Sequence, residues 1–168
     1  MELAVLLSIQ PQWCEKIASG EKTVEVRKNR PKIDTPFKVY MYHTKTRNAG
    51  GGDWNHWADC WQLPNGTFVN AGGKVIGEFV CDEAEKFTVG SLRCDDTERL
   101  SCLTYAEMIA YFYKPGEIDG KTAKQGYGWH ISELKIYDRP KELEEFVSCN
   151  GGSIKRPFQS WGYVCLSK

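Results

Sequence analysis

The chain has 168 residues, with 22 basic and 22 acidic side chains, and 41% of it is hydrophobic. That length supports one domain with a substantial core, and the apolar content excludes a disordered chain. No apolar run approaches the roughly 20 residues of a membrane span, and the charge balance excludes nucleic-acid binding by bulk charge alone.

Met1 to Leu7 lacks a basic region, and Ser8 and Gln10 break its apolar run. This predicts no secretory leader and a cytoplasmic protein. The seven cysteines are scattered and form no CxxC pair. They predict reduced thiols, mostly core fillers, and no structural zinc site. His43, His56 and Cys60 carry zinc-ligating side chains but lack a fourth ligand, so neither metal nor cofactor is expected.

Ala4 to Ile9 is a short apolar run that predicts a buried strand. Pro11 suits the first turn of a helix, Trp13, Cys14, Ile17 and Ala18 form its apolar stripe, and Gly20 ends it. Thr23 to Arg27 alternates, with Val24 and Val26 on one face and Thr23, Glu25 and Arg27 on the other. Phe37 to His43 and Lys74 to Cys81 predict further strands, the latter with a bulge near Gly77.

Residues 44–73 form a long polar, glycine-rich stretch, read as an insertion or loop. Within it, the turn at Pro64-Asn65-Gly66-Thr67 predicts a small hairpin. Thr104 and Glu107 form a capping box for a helix from Tyr105 to Tyr113. Tyr127 to Tyr137 reads as one long strand with a register shift between Ile131 and Leu134. Pro140 to Phe146 reads as one or two helical turns, and Trp161 to Leu166 as a last strand. About six strands and two or three short helices do not alternate regularly. The expectation is an α+β fold: a small, mostly antiparallel β-barrel with flanking short helices, in one domain over residues 1–168.

Glu25, Arg27 and Thr23 share one strand face, and Lys22 stands at its entry. A carboxylate, a guanidinium and an amine that close together must pair or bind something if they are partly buried. One reading is a structural ion pair that clips the first helix to the sheet. The other is a polar pocket for a base or nucleotide. Lys28, Arg30 and Lys32 extend a basic cluster beyond Arg27, with Lys45 and Arg47 on the next connection. Such groups position phosphates, although a solvated charged face is the commoner reading of any charge run. Trp54 and Trp57 flank His56 in the long stretch, as a lid or as packing.

Leu7-Ser8-Ile9-Gln10-Pro11-Gln12-Trp13, followed by Gly20-Glu21-Lys22-Thr23-Val24-Glu25-Val26-Arg27, resembles the start of the ASCH domain, whose motif is GxKxxExR. Gly73 to Phe79, Thr104 to Phe112, Gly126 to Ile131 and Tyr137 to Leu143 resemble later pieces of that family. Arg156 to Trp161 resembles the closing segment of ASCH proteins carried by bacteria and their phages. The resemblance implies a PUA-like fold and a cleft beside the first helix. It also implies an RNA- or nucleotide-binding module, with Lys22, Glu25, Arg27, Arg30, Trp129, His130 and Trp161 as candidate ligand-binding residues. Trp129 and Trp161 could stack on bases at about 1–3 kcal/mol each, or fill core. His130 could face the cleft or the solvent.

One branch of the family hydrolyses acylated cytidine nucleosides with a lysine, a threonine and a glutamate. Lys22 matches the lysine, but Glu25 occupies the threonine position and Thr23 is only its neighbour. The third group has no clear counterpart, with Glu98 and Glu107 as guesses. Lys22, Thr23 and Glu25 are thus catalytic candidates only if the protein is an enzyme. A third reading is a protein-interaction module that uses the loop tryptophans.

Overall fold

The computed structural model describes residues 2–46, 59–63, 65–90, 94–118 and 121–165. The first half contains β1 (Leu3–Ile9), α1 (Pro11–Ala18), β2 (Val24–Arg27), β3 (Phe37–His43), β4 (Cys60–Gln62), β5 (Phe68–Asn70) and β6 (Lys74–Cys81). The second half contains β7 (Ala84–Thr88), α2 (Cys94–Ser101), α3 (Tyr105–Phe112), β8 (Gln125–His130), β9 (Ser132–Glu142), β10 (Val147–Ser148) and β11 (Trp161–Cys165).

The strands form three sheets. The largest has the order β10-β11-β1-β3-β6-β9, a second has β2-β8-β7, and β4-β5 is a separate hairpin. These sheets are not closed into one barrel. The pairing is mostly antiparallel, as expected, and β1 runs parallel to β3. No helix among the described residues is long and apolar enough to cross a membrane.

β1 explains its own sequence. Ala4 to Leu7 are all fully buried, because both faces of the large sheet are covered. Val5, Leu7 and Ile9 join one cluster with Cys14 and Ile17 of α1, Phe37 and Met41 of β3, and Trp129 of β8. Ala4 and Leu6 face the opposite cluster, with Tyr40, Tyr42, Tyr137, Phe146 and Ile154. A third cluster lies under α3, where Met108 and Phe112 pack on Val26 and Phe87.

The bulge expected near Gly77 is present, as a register shift between Val75 and Gly77. It lets Ile76 and Phe79 enter the same cluster despite their odd spacing. A Cβ at Gly77 would lie 2.6 Å from the Lys135 carbonyl oxygen, so the residue is fixed by backbone approach.

Several expectations are corrected. The described residues hold eleven strands rather than about six. The single strand expected over Tyr127 to Tyr137 is two, β8 and β9, which belong to different sheets. The chain changes sheet at Ile131, and Glu133 takes φ +48 just beyond it. The helical turns expected from Pro140 are strand as far as Glu142, followed by one 3₁₀ turn over Leu143–Glu145. β7 and α2 were not foreseen. α2 is largely polar, with Leu100 its one large apolar residue, so it offers few apolar positions from which to read a helix. The hairpin within 44–73 is present, with Trp61 opposite Val69. Arg47, Trp54, His56 and Trp57 lie outside the described residues, and so does the lid reading.

The capping box at α3 forms as the sequence predicts. The Thr104 hydroxyl accepts from Glu107 N, and the Glu107 carboxylate accepts from Thr104 N at 2.8 Å. Thr104→Ala is expected to cost about 1 kcal/mol of stability, read from urea unfolding. A cost near zero would mean that packing alone holds α3.

Candidate functional site

All four residues of β2 are buried. The charged face expected to border a partly open cleft is instead enclosed. Lys22, Glu25 and Arg27 are 2%, 5% and 8% exposed. Among the described residues β2 pairs with β8 alone, and Ser160, just before β11, reaches Arg27.

Glu25 stands at the centre. Its Oε2 lies 3.2 Å from Lys22 Nζ and its Oε1 lies 2.7 Å from Arg27 Nη2. Lys22 Nζ also donates to the Ser101 carbonyl at 2.7 Å and sits 5.3 Å from the centre of the Trp13 ring. Arg27 Nη2 donates to the Ser8 carbonyl at 2.8 Å, and Nη1 donates to Ser160 Oγ at 3.2 Å. Among the described residues one anion thus faces two cations, which leaves one excess positive charge in the cluster. Burial by itself would raise the Glu25 carboxyl. The Lys22 and Arg27 charges and hydrogen bonds outweigh it and hold the group below the ordinary carboxylate range.

Two buried N–H groups beside this cluster have no partner among the described residues: Arg27 Nε and Trp129 Nε1. Trp129 sits opposite Glu25 in the β2–β8 ladder and is fully buried, edge-on to Phe37. The unsatisfied groups are donors, so the cluster presents hydrogens rather than lone pairs.

Aromatic groups rim the cluster. The Tyr111 phenol is raised by its partial burial, while the neighbouring Arg27 charge opposes the shift. Lys28 Nζ lies 5.1 Å from the centre of the Tyr111 ring. Trp161 lies 6.0 Å from Trp129, and its indole N–H donates to Asn29 Oδ1 at 3.2 Å. A shallow open depression runs along Asn29, Arg30, Lys32, Asp34 and Tyr127. Tyr127 is the strand partner of Arg27, so the two side chains share one face of the sheet and this depression borders the cluster.

Among the sequence candidates, Lys22, Glu25 and Arg27 are brought together, with Trp129 beside them and Trp161 on the rim. Arg30 is spent on its own loop, donating to the Ile33 carbonyl at 2.9 Å and to the Pro31 carbonyl at 3.4 Å. His130 takes the face opposite Trp129, where its Nδ1 is 2.6 Å from Asp82 Oδ1. Thr23 serves through its backbone, bonding Leu100 O of α2 and accepting from Ile131 N. Ser8, Ser101, Ser160 and Tyr111 touch the cluster and were not foreseen. They come from four distant segments, and no local spacing marks them.

α2 contributes its C-terminal end. Leu100 and Ser101 supply carbonyls to Thr23 N and Lys22 Nζ. The chain then leaves through Cys102 at φ +58, a left-handed conformation that a non-glycine residue adopts only under constraint.

A family model for the ASCH domain matches residues 7–114, well over half of the chain, and the protein belongs to that family. The fold is similar to a solved ASCH protein from Zymomonas mobilis, at a TM-score of 0.62 and 18% identity over 95% of this chain and 86% of that one. A tyrosine-to-phenylalanine variant of that protein gives 0.60, at 18% identity over 95% of this chain and 88% of its own. A serine-to-alanine variant gives 0.63, at 18% identity over 95% of this chain and 87% of its own. At such identity the likeness is one of fold. No curated protein matches the chain.

Proposed function

We propose that the protein binds RNA and holds one base or nucleotide of a single strand at the rim of the Lys22–Glu25–Arg27 cluster. The observation that carries this reading is the buried excess positive charge beside the unpartnered Arg27 Nε. A buried cation and an orphan donor both favour an acceptor-rich ligand, and a base carbonyl or a phosphate oxygen supplies one. On this reading Tyr111 and Trp161 stack on an unpaired base, and Lys28, beside the Tyr111 ring, meets phosphate. The family is generally considered RNA-binding, which agrees with this chemistry. On this reading the protein works in the cytoplasm, and the six described free cysteines suit a reducing compartment.

The nucleoside amidohydrolase reading has less support. Glu25 is held ionised and doubly paired, which disfavours it as an acid and weakens it as a base. Glu107 is committed to the α3 cap.

The test is fluorescence anisotropy with short single-stranded RNA over a range of salt. Arg27→Lys keeps the charge but loses the guanidinium fork. It is expected to weaken binding at least about tenfold, the size of a lost hydrogen bond to a charged group. Tyr111→Ala should weaken binding independently, and Lys28→Ala should flatten the salt dependence. Wild-type affinity in a folded Arg27→Lys protein would overturn the assignment. Turnover of an acylated cytidine that is lost in Lys22→Ala would favour the amidohydrolase.

A further inference from the structure

The connection between β2 and β3 walls the depression that borders the Arg27 cluster. Hydrogen bonds fasten this wall to β11 and to itself. Asn29 Oδ1 accepts from the Trp161 indole at 3.2 Å, and Lys32 N donates to the Tyr163 hydroxyl at 2.7 Å. Arg30 donates to the carbonyls of Pro31 and Ile33, which turns its guanidinium into the wall. Trp161 meets Trp129 at 6.0 Å and Tyr163 at 5.5 Å, so the wall rests on the aromatic row that rims the cluster. The volume of the depression is about 610 Å³, within the roughly 300–1,000 Å³ of small-ligand sites.

Two charged side chains of this fixed wall are left over. Lys32 and Asp34 are exposed and line the depression, and neither side chain has a partner among the described residues. Their charges are opposite, yet they are not paired with each other. A ligand that carried only negative charge would be repelled by Asp34, and one that carried only positive charge by Lys32. A ribonucleotide suits both, with a phosphate for the cation and a sugar hydroxyl for the carboxylate. Asp34 also stands out chemically. Arg27 Nε, Trp129 Nε1, Lys28 and Lys32 offer only hydrogens, whereas a carboxylate accepts them.

We propose that the depression holds the sugar and phosphate next to the bound base, with Asp34 accepting from the ribose 2′-hydroxyl and Lys32 meeting the phosphate, so that the protein selects RNA over DNA. This rests on the reading that a single strand binds at the rim of the cluster. The 2′-hydroxyl is the group by which a site tells the two strands apart. A deoxyribose offers Asp34 no hydrogen, so the repulsion between its carboxylate and the phosphates goes uncompensated. Selection then has an attractive part and a repulsive part in one side chain.

The test is fluorescence anisotropy at fixed salt with three single strands of one sequence: RNA, its 2′-fluoro analogue, and DNA with deoxyuridine for thymidine. The fluoro sugar keeps the RNA-like pucker and lacks the hydroxyl hydrogen. Wild type is expected to bind RNA at least about tenfold more tightly than either of the others, the size of one hydrogen bond to a charged group. Asp34→Ala should bring RNA down to the level of DNA and leave DNA unchanged or tighter. Its urea midpoint should equal that of wild type, because the side chain is exposed. Lys32→Ala should weaken all three strands alike and flatten their salt dependence. Equal wild-type affinity for the three strands would overturn this inference and leave the strand-binding site standing. An RNA preference that survives Asp34→Ala, or that the 2′-fluoro strand shares, would overturn the role of Asp34. Lys32→Ala with wild-type affinity would overturn the phosphate contact. No binding of any strand would overturn the strand-binding reading itself, and this inference with it.

Discussion

Glu25→Ala is expected to lower unfolding stability by about 3–5 kcal/mol, because it leaves the Lys22 and Arg27 cations buried without their shared anion. A surface ion pair would give about 1 kcal/mol or less, so the size of the loss separates the two situations. Urea unfolding at neutral pH measures it. Glu25→Gln keeps the shape and removes the charge, and it should lie between wild type and Glu25→Ala. The same carboxyl sets part of the acid limit. Its pKa is lower in the folded protein than in the unfolded chain, so its contribution is fully present above the unfolded value of about 4.3. That contribution falls away as pH drops through the folded value. Glu25→Gln should therefore flatten the decline in stability below about pH 4.3. An unchanged acid limb would mean that other carboxylates set it.

Trp129→Ala should cost a similar amount, about 3–5 kcal/mol, for a different reason. The ring is fully buried, edge-on to Phe37 at 5.6 Å, and 6.0 Å from Trp161. Its removal leaves a cavity between the two larger sheets, at the back of the charged cluster. Trp129→Phe should cost clearly less. The indole N–H has no partner among the described residues, so its loss strands no acceptor and only volume is forfeited. If the two variants cost the same, the N–H holds a buried partner such as an ordered water, and the orphan-donor argument for the site loses one of its two members.

The pair of variants also bears on what the cluster is for. Arg27 spends Nη1 and Nη2 on Ser160, Ser8 and Glu25 and also interacts with the Tyr111 phenol, and among the described residues its buried Nε has no partner. An unspent donor is a standing cost of about 1–3 kcal/mol, which a bound acceptor would recover.

By itself the sequence determined the local elements whose signals are short-range. Pro11 and Gly20 delimit α1, Thr104 and Glu107 start α3, Asn65-Gly66 turns the β4–β5 hairpin, and Gly77 marks the bulge. In each case one or two residues restrict backbone angles or satisfy an end group, which needs no distant partner. The sequence also placed Lys22, Glu25 and Arg27 together, because spacing along one strand fixes a shared face. It left open whether that face is wet. Only the tertiary structure decided this: Ser8, Ser101 and Ser160 arrive from elements 133 residues apart at most from Arg27 and exclude water from the charges. The division of Tyr127 to Tyr137 between two sheets was likewise decided by packing, since apolar residues on both sides of Ile131 suit either sheet. α2 shows the same limit. Its sequence is mostly polar, and what it supplies is a pair of carbonyls at its end, a backbone feature that no side chain announces.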